Sequence, residues 1–414
     1  FFYNRIKEYI FTKERILYMT ALFLMIPYIG ISAYIIWHVF KLTSAISVRL
    51  RSKIFRSIFL IFFTVIATSP LTSFLIASGP LHFLLKKLNN IWLGFMLYII
   101  LILAVMDAVI LILRLSKKIS RHTLRSRHFV ILTRSGALLL AIVVTIFGVI
   151  NAGWIRTTHY DAYVDKPCDI SELNVVLAAD LHLGYSVGAR HMEQMVKKIN
   201  AANPDLVIIA GDIYDNEFEA IEEPEKIQEL FASIQSKYGV FACWGNHDLE
   251  EPILAGFTFG SHDKIETDVR MAELLKNAGV YLLSDETVFI DNAFYLVGRE
   301  DSSRARKTGS GRQSPETLLS GLDHSKPIIV IDHQPRELQA LADAGADVDL
   351  SGHTHDGQIF PGNILTSLMW ENSCGLLSVD SMTSVVTSGA GVWGPNMRVG
   401  TKSEIVQLRI HFKN

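Results

Sequence analysis

Two scarcities organise this sequence. Cysteine occurs three times in 414 residues, as Cys168, Cys243 and Cys374, which excludes a disulfide framework and leaves the redox compartment open. Acids are nearly missing from the first 160 positions, where only Glu8, Glu14 and Asp107 stand against 19 Lys and Arg. The remaining positions hold 20 basic and 38 acidic residues, so the net charge of −2 conceals a basic half and an acidic half. Charged residues make up 19% of the chain against 50% hydrophobic, and the mean hydropathy is +0.28. Disorder and collagen-like repeats are thereby excluded, as is an all-soluble chain. The chain opens on Phe1-Phe2 with no Met, so sequence upstream of it is expected.

What is present in the basic half is apolar length. Stretches at about 16–40, 57–78, 91–113 and 129–153 each approach the ~20 residues that cross a hydrocarbon core. They are apolar all round rather than along one stripe, which favours membrane spans over buried helices of a soluble core. Pro70 interrupts the second stretch, and residues 79–90, with Lys86 and Lys87 among leucines, are expected along the interface. The short connections at one end carry 11 Lys and Arg and the opposite side 7. With four spans, that bias puts the C-terminal half outside the cytoplasm. Asp107 and Arg134 are the lone acid and the lone deep base of the spans, and an interhelical pair between them is expected. The expected division is a transmembrane region at 1–155, a juncture at 156–170 and a catalytic domain at 171–414.

From about residue 170 short β-branched runs alternate with amphipathic ones. Strands are predicted at Leu173–Ala179, Asp205–Ala210, Val240–Trp244, Phe294–Gly298, Pro327–Ile331, Val348–Leu350 and Glu404–Phe412, and helices at Arg190–Asn200, Pro224–Tyr238, Lys264–Asn277 and Pro335–Ala344. Five strands run into polar signals: Asp180-Leu181-His182, Gly211-Asp212, Gly245-Asn246-His247-Asp248, His333 and Gly352-His353-Thr354-His355. Ligands of open α/β sheets collect beyond the carboxyl ends of strands, and residues i and i+2 of an extended segment share a face. Carboxylates, an amide oxygen and imidazoles suit Mn²⁺, Fe²⁺ or Zn²⁺ better than Ca²⁺. A lone Asp-x-His or His-x-His is commonly structural; the ordered set of five points to a metal centre.

This ordered set resembles the calcineurin-like metallophosphoesterase superfamily, and Gly352 through Ile359 with Thr387-Ser388-Gly389-Ala390-Gly391 is similar to its bacterial membrane-associated phosphodiesterase branch. The resemblance implies two packed mixed β-sheets flanked by helices. It implies two divalent ions, with Mn²⁺ favoured, one held by Asp180, His182, Asp212 and His355 and the other by Asp212, Asn246, His333 and His353. Attack by a metal-bridging hydroxide is implied, with His247 as general acid and Asp248 orienting its ring. Asp215 stands where purple-acid-type members carry a Tyr ligand, which disfavours ferric chemistry. The basic loop with Arg299, Arg304, Arg306 and Arg312 reads either as a phosphate grip or as a solvated loop. The acidity of the rest excludes nucleic acid as a partner.

The function expected is a membrane-anchored phosphodiesterase or pyrophosphatase of a bacterial plasma membrane, acting on a phospholipid or lipid-linked phosphate. Two alternatives stand beside it: a tethered enzyme for a soluble nucleotide or glycerophosphodiester, and an inactive sensor or scaffold.

Overall fold

The computed structural model describes residues 25–76, 79–251, 253, 254, 257, 258, 265 and 267–413. Two compact units divide at 77/78, 90/91 and 146/147. The helices of the N-terminal portion are α1 (Met25–Ile46), α2 (Lys53–Ala67), α3 (Ser69–Leu75), α4 (Pro80–Leu115), α5 (Arg121–Arg125) and α6 (Arg127–Ala152). Among the described residues three of these, α1, α4 and α6, are long and apolar enough to cross a membrane. The expected span at 57–78 is not one of them. The helix breaks at Thr68, and Pro70 sits in the first turn of α3, where its missing N–H costs nothing; the pieces are 15 and 7 residues long. Residues 16–24 of the first expected span, and 77 and 78 of the second, lie outside the described residues. Residues 80–90 are not a separate interfacial segment but the opening turns of α4.

In the first unit Phe63, Trp92, Ile99, Leu103, Ala137 and Ala141 form a common core. Arg127 Nη2 donates to Ile46 O at 2.7 Å, which brings the basic connections after α1 and before α6 to one end. At the other end Tyr28 donates to Ala67 O at 2.5 Å and receives Trp92 Nε1–H at 2.9 Å. Asp107 is held by the Tyr34 hydroxyl at 2.9 Å and His38 Nε2 at 3.2 Å. The expected Asp107–Arg134 pair is absent; Arg134 Nη1 donates instead to Thr133 Oγ1 at 3.4 Å.

The second unit carries the strands β1 (Ile155–Pro167), β2 (Glu172–Ala178), β3 (Leu206–Ala210), β4 (Val240–Cys243), β5 (Ile253–Leu254), β6 (Phe257–Thr258), β7 (Val280–Leu282), β8 (Glu286–Ile290), β9 (Phe294–Gly298), β10 (Ile328–Ile331), β11 (Val348–Ser351), β12 (Gly375–Val379), β13 (Met382–Val386) and β14 (Ser403–Lys413). Its further helices are α7 (Ala189–Ala201), α8 (Pro224–Ala232), α9 (Val269–Asn277), α10 (Ser302–Thr308), α11 (Pro315–Leu319), α12 (Leu338–Asp343) and α13 (Gly362–Met369). One six-stranded sheet has the order β1-β14-β2-β3-β4-β7 and the other β12-β13-β11-β10-β9-β8. Both are mixed: β2, β3, β4 and β7 run parallel, as do β9, β10, β11 and β13, while β14 opposes β2, β8 opposes β9 and β12 opposes β13.

Strands covered on both faces read as unbroken apolar runs. Leu173, Val175 and Leu177 of β2 enter the layer between the sheets, with Ile329, Ile331, Val348 and Leu350 across it. Val176 and Ala178 point the other way, into the cluster covered by α7, α8 and α9. A third cluster seats α11 and α12 on the outer face of the second sheet. Each fully buried Val, Leu or Ile contributes about 1.5–3 kcal/mol, so this layered core fixes where the strand ends converge.

The expected juncture at 156–170 is instead mostly strand. β1 pairs parallel with β14 from Ile155 opposite Ser403 to Val164 opposite Phe412. It is an edge strand that buries Ala162 and Val164 and leaves polar neighbours outside, a composition that imitates a linker.

Candidate metal centre

The carboxyl ends of β2, β3, β4, β10 and β11 carry the predicted ligands, and the fold draws them into two groups: Asp180, His182 and His355, and Asp212, His333 and His353. In the first, His182 Nε2 and His355 Nε2 are 3.0 Å apart, with Asp180 Oδ1 3.7 Å from His355 Nε2. In the second, His333 Nδ1–H donates to Ala210 O at 2.9 Å, which aims Nε2 into the site. That nitrogen meets Asp212 Oδ2, Asn246 Oδ1 and His353 Nδ1, each at 3.1 Å. The mixture of imidazole, carboxylate and amide oxygen fits divalent metals. Asp212 Oδ2 is also 3.7 Å from His182 Nε2, so one oxygen faces both groups. Its other oxygen accepts the backbone N–H of His247 at 2.7 Å.

The backbone is bent to achieve this. Asp180, His182, Asp212, His353 and His355 all have φ between 46° and 70°, a left-handed conformation that costs a non-glycine residue roughly 1–2 kcal/mol. Two glycines make room: a Cβ on Gly211 would stand 2.5 Å from His333 Nδ1, and one on Gly245 2.2 Å from Asp212 Oδ1.

Burial disfavours charge throughout the site, and the partners decide the outcome. Asp180 is pushed up to about 6 by burial. Against burial, His333, with help from His247 and His182, holds Asp212 well below the carboxylate range. Burial also opposes charge on His333, but Asp212 lifts it well above the usual imidazole value. In the absence of metal these two therefore form an ion pair that a cation would replace.

His247 lies beside both groups, its ring centre 5.2 Å from that of His182 and 5.9 Å from that of Trp393. Burial pushes its imidazole down to about 4. The sequence reading gave Asp248 the task of orienting this ring, and the structure corrects it. Asp248 is buried and accepts the backbone N–H of Tyr214 at 2.8 Å and of Gly245 at 2.7 Å, bracing two loops. The ring is held by Asn216, whose Oδ1 lies 2.6 Å from His247 Nδ1 while its Nδ2 donates to Leu249 O at 3.0 Å. The Leu249 bond fixes the amide's orientation, so His247 carries its proton on Nδ1 and turns Nε2 toward the site.

Arg398 was also missed. Fully buried, it donates to the carbonyls of His355 (3.1 Å), Ser388 (2.5 Å) and Gly391 (2.8 Å), tying the loop of the last His pair to the loop after β13. The one sequence signal was the Thr387-to-Gly391 motif, which supplies two of those acceptors.

The basic loop does not present a grip. Arg299 is fully buried against Asp332 Oδ2 (2.9 Å) and Glu337 Oε2 (2.9 Å), and Arg312 joins the same acids at 2.7 and 3.1 Å. Arg304 pairs with Glu300 at 2.5 Å and lies over the Trp244 ring at 5.7 Å. Arg306 contacts Ser303 Oγ at 3.4 Å. Acids distant in sequence claim Arg299 and Arg312, and Glu300, four positions away, claims Arg304, so three of these four guanidinium groups are engaged within the domain.

The domain is a mixed-sheet sandwich with two adjoining groups of candidate metal ligands beyond its strand ends. Residues 173–357 match the family model described as calcineurin-like phosphoesterase, and the chain carries a calcineurin-like metallophosphoesterase domain. A "Transmembrane protein with metallophosphoesterase domain" of Danio rerio is 31% identical over 285 residues, covering 66% of this chain and 61% of that protein. An "Uncharacterized metallophosphoesterase" of Helicobacter pylori (strain ATCC 700392 / 26695) is 32% identical over 257 residues, 61% of this chain and 63% of the relative. The "UDP-2,3-diacylglucosamine pyrophosphatase LpxG" of Chlamydia trachomatis serovar D is 24% identical over 282 residues, 57% of this chain and 83% of the relative. The chain thus spans under two thirds of the length of the first two relatives.

Proposed function

We propose that the protein is a membrane-anchored, dinuclear metal-dependent phosphoesterase acting on a phospholipid or lipid-linked phosphate. The observation that carries this is Asp212, whose Oδ2 faces both ligand groups, 3.7 Å from His182 Nε2 and 3.1 Å from His333 Nε2. Asp180, His182, Asp212 and His355 would hold one ion and Asp212, Asn246, His333 and His353 the other. When bound, such a pair supplies charge that polarises a phosphoryl group and acidifies water at neutral pH. Mn²⁺ suits the donors best, with Fe²⁺ or Zn²⁺ as the other candidates.

The protein's own contribution to the reaction lies in proton management. His247 is neutral in the free domain because burial holds it down. An incoming phosphate oxyanion favours its protonated form, and Nε2, aimed by Asn216 through Nδ1, then delivers a proton to the departing alkoxide. Asp248 secures the loops that carry His247 and Tyr214.

Support for the lipid-linked class comes from the relative named as a diacylglucosamine pyrophosphatase and from the apolar helices α1, α4 and α6. The convergence of the two basic connections at one end of the helical unit, through Arg127 and Ile46, supports a bacterial plasma membrane with the catalytic domain outside the cytoplasm.

The test is phosphate or headgroup release from a panel of membrane lipids by the full chain, with Mn²⁺ and with chelator, beside the Asp212→Asn variant. Turnover that needs metal and vanishes in the variant, together with lower metal content, is expected. Full activity of metal-free Asp212→Asn protein refutes the two-metal reading.

A further inference from the structure

One surface of the domain runs against the usual amphipathic order. α13 buries none of its residues, yet Ile364, Leu365, Leu368 and Met369 are 49, 60, 80 and 76% exposed. Positions three and four apart are neighbours on a helix surface, so Ile364 with Leu368, and Leu365 with Leu368 and Met369, form an apolar stripe pointing out of the domain. α7 shows the ordinary arrangement, with Met192, Met195, Val196 and Ile199 turned inward.

Two connections locate this stripe. On one side Phe360 N donates to Val399 O at 2.8 Å, and Arg398 N donates to Gly148 O at 2.9 Å. The loop segment around Val399 therefore lies between the start of α13 and α6, the last candidate span. Gly148 is four residues from the end of α6, about 6 Å along its axis. Just beyond that end Trp154 is 60% exposed with the Arg156 guanidinium 4.8 Å from its ring, a pairing suited to the headgroup layer. On the other side Trp370, which caps α13, packs edge-on against His353 with ring centres 5.1 Å apart. The exposed Arg336 lies 4.5 Å over the same indole. α13 thus joins the exit of a membrane helix to the rim of the metal centre.

We propose that α13 is an interfacial foot: its Ile364, Leu365, Leu368 and Met369 face enters the acyl layer of a lipid bilayer beside α6, and Arg336 on Trp370 receives the phosphate of a lipid whose chains stay in that leaflet. This rests on the phosphoesterase reading above and narrows its substrate to acyl-bearing phosphoesters. A bilayer is favoured over a protein as the occupant because two backbone hydrogen bonds, Phe360 to Val399 and Arg398 to Gly148, link the start of α13 to a helix that is itself apolar enough to lie in lipid.

The test uses the full chain in vesicles of phosphatidylcholine and phosphatidylglycerol. A nitrobenzoxadiazole probe is placed on Leu368→Cys, with Cys168 and Cys374 replaced by Ser, and the same probe on Ser325→Cys, an exposed turn position, serves as reference. Brominated lipid is expected to quench the Leu368→Cys probe several-fold more than the reference. In Leu365→Asp/Leu368→Asp protein the ratio of vesicle-lipid to water-soluble diester turnover is expected to fall at least about tenfold. Equal quenching at the two positions overturns the foot, as does cross-linking of Leu368→Cys into dimers in place of quenching, which assigns the face to a second copy. Strong quenching with no lipid phosphate hydrolysed keeps the foot and removes the lipid-substrate reading. Lipid hydrolysis that is indifferent to the double substitution keeps that reading and removes the foot.

Discussion

Asn216 offers the sharpest test of how the site handles protons. Its own φ is +63°, so Asn216→Gly removes the side chain without forcing a Cβ into the left-handed region. Two contacts go with it: the 2.6 Å contact to His247 Nδ1 and the 3.0 Å bond to Leu249 O. The second leaves a buried carbonyl unpaired, and together the losses should cost about 2–4 kcal/mol of stability, read as a lower midpoint in urea. Catalysis should suffer separately, because the ring can now turn or change tautomer. A positioning loss of about 1.4–2.8 kcal/mol is a 10–100-fold fall in kcat on an alkyl phosphodiester. A nitrophenyl diester, whose leaving group needs no proton, should lose less than about threefold. Asn216→Asp restores an acceptor and adds a negative charge, which stabilises imidazolium; His247 then keeps its proton to higher pH, and the alkaline limb of the kcat profile moves up. Equal losses on both substrates in the Gly variant, with an unmoved pH profile in the Asp variant, would refute the assignment.

Three further outcomes are expected. His247→Ala should slow alkyl phosphodiesters by about 10²–10⁴-fold while sparing nitrophenyl esters, measured by steady-state kinetics at saturating metal; equal losses would give His247 another role. Asp349 is buried, accepts from Ser351 and Ser384 at 2.9 and 3.0 Å, and is pushed up to about 7 by burial. A raised carboxyl supports the fold below pH ~4 and loses that support as pH climbs through ~7, so Asp349→Asn should stabilise the protein by about 1–2 kcal/mol at pH 8 and less at pH 5 by urea titration. A larger gain at pH 5 would contradict the sign. An impermeant thiol label on intact cells should reach Ser310→Cys and not Ser120→Cys; the reverse pattern places the catalytic domain in the cytoplasm.

The candidate ligands were legible because each sits within two to four residues of the strand that delivers it, so Asp180, His182, Asp212, Asn246, His333, His353 and His355 carry a local signature. What escaped was set by contacts distant in sequence. Asn216 reaches His247 across 31 positions with no neighbour pattern that announces it, and Arg398 reaches His355 across 43, signalled only indirectly by the Thr387-to-Gly391 motif. The basic loop misled for the same reason: Asp332 and Glu337, which claim Arg299 and Arg312, come from beyond β10. The second apolar stretch had the composition of a span but not its continuity, since hydropathy averages over the break at Thr68 and Pro70. β1 hid because an edge strand buries so few side chains.

Only Gly153 and Trp154 separate the end of α6 from β1, and β1 is the outermost strand of the first sheet, in register with β14 along Ile155 to Val164. The last candidate span is therefore followed in the chain almost at once by a sheet edge. Trimming the chain at residue 170 to free a water-soluble enzyme would strip that outer strand and leave β14, Ser403–Lys413, as an open edge ready to pair with other chains. Release by a protease in this region would likewise yield a damaged sheet, and a usable soluble form has to begin ahead of Ile155.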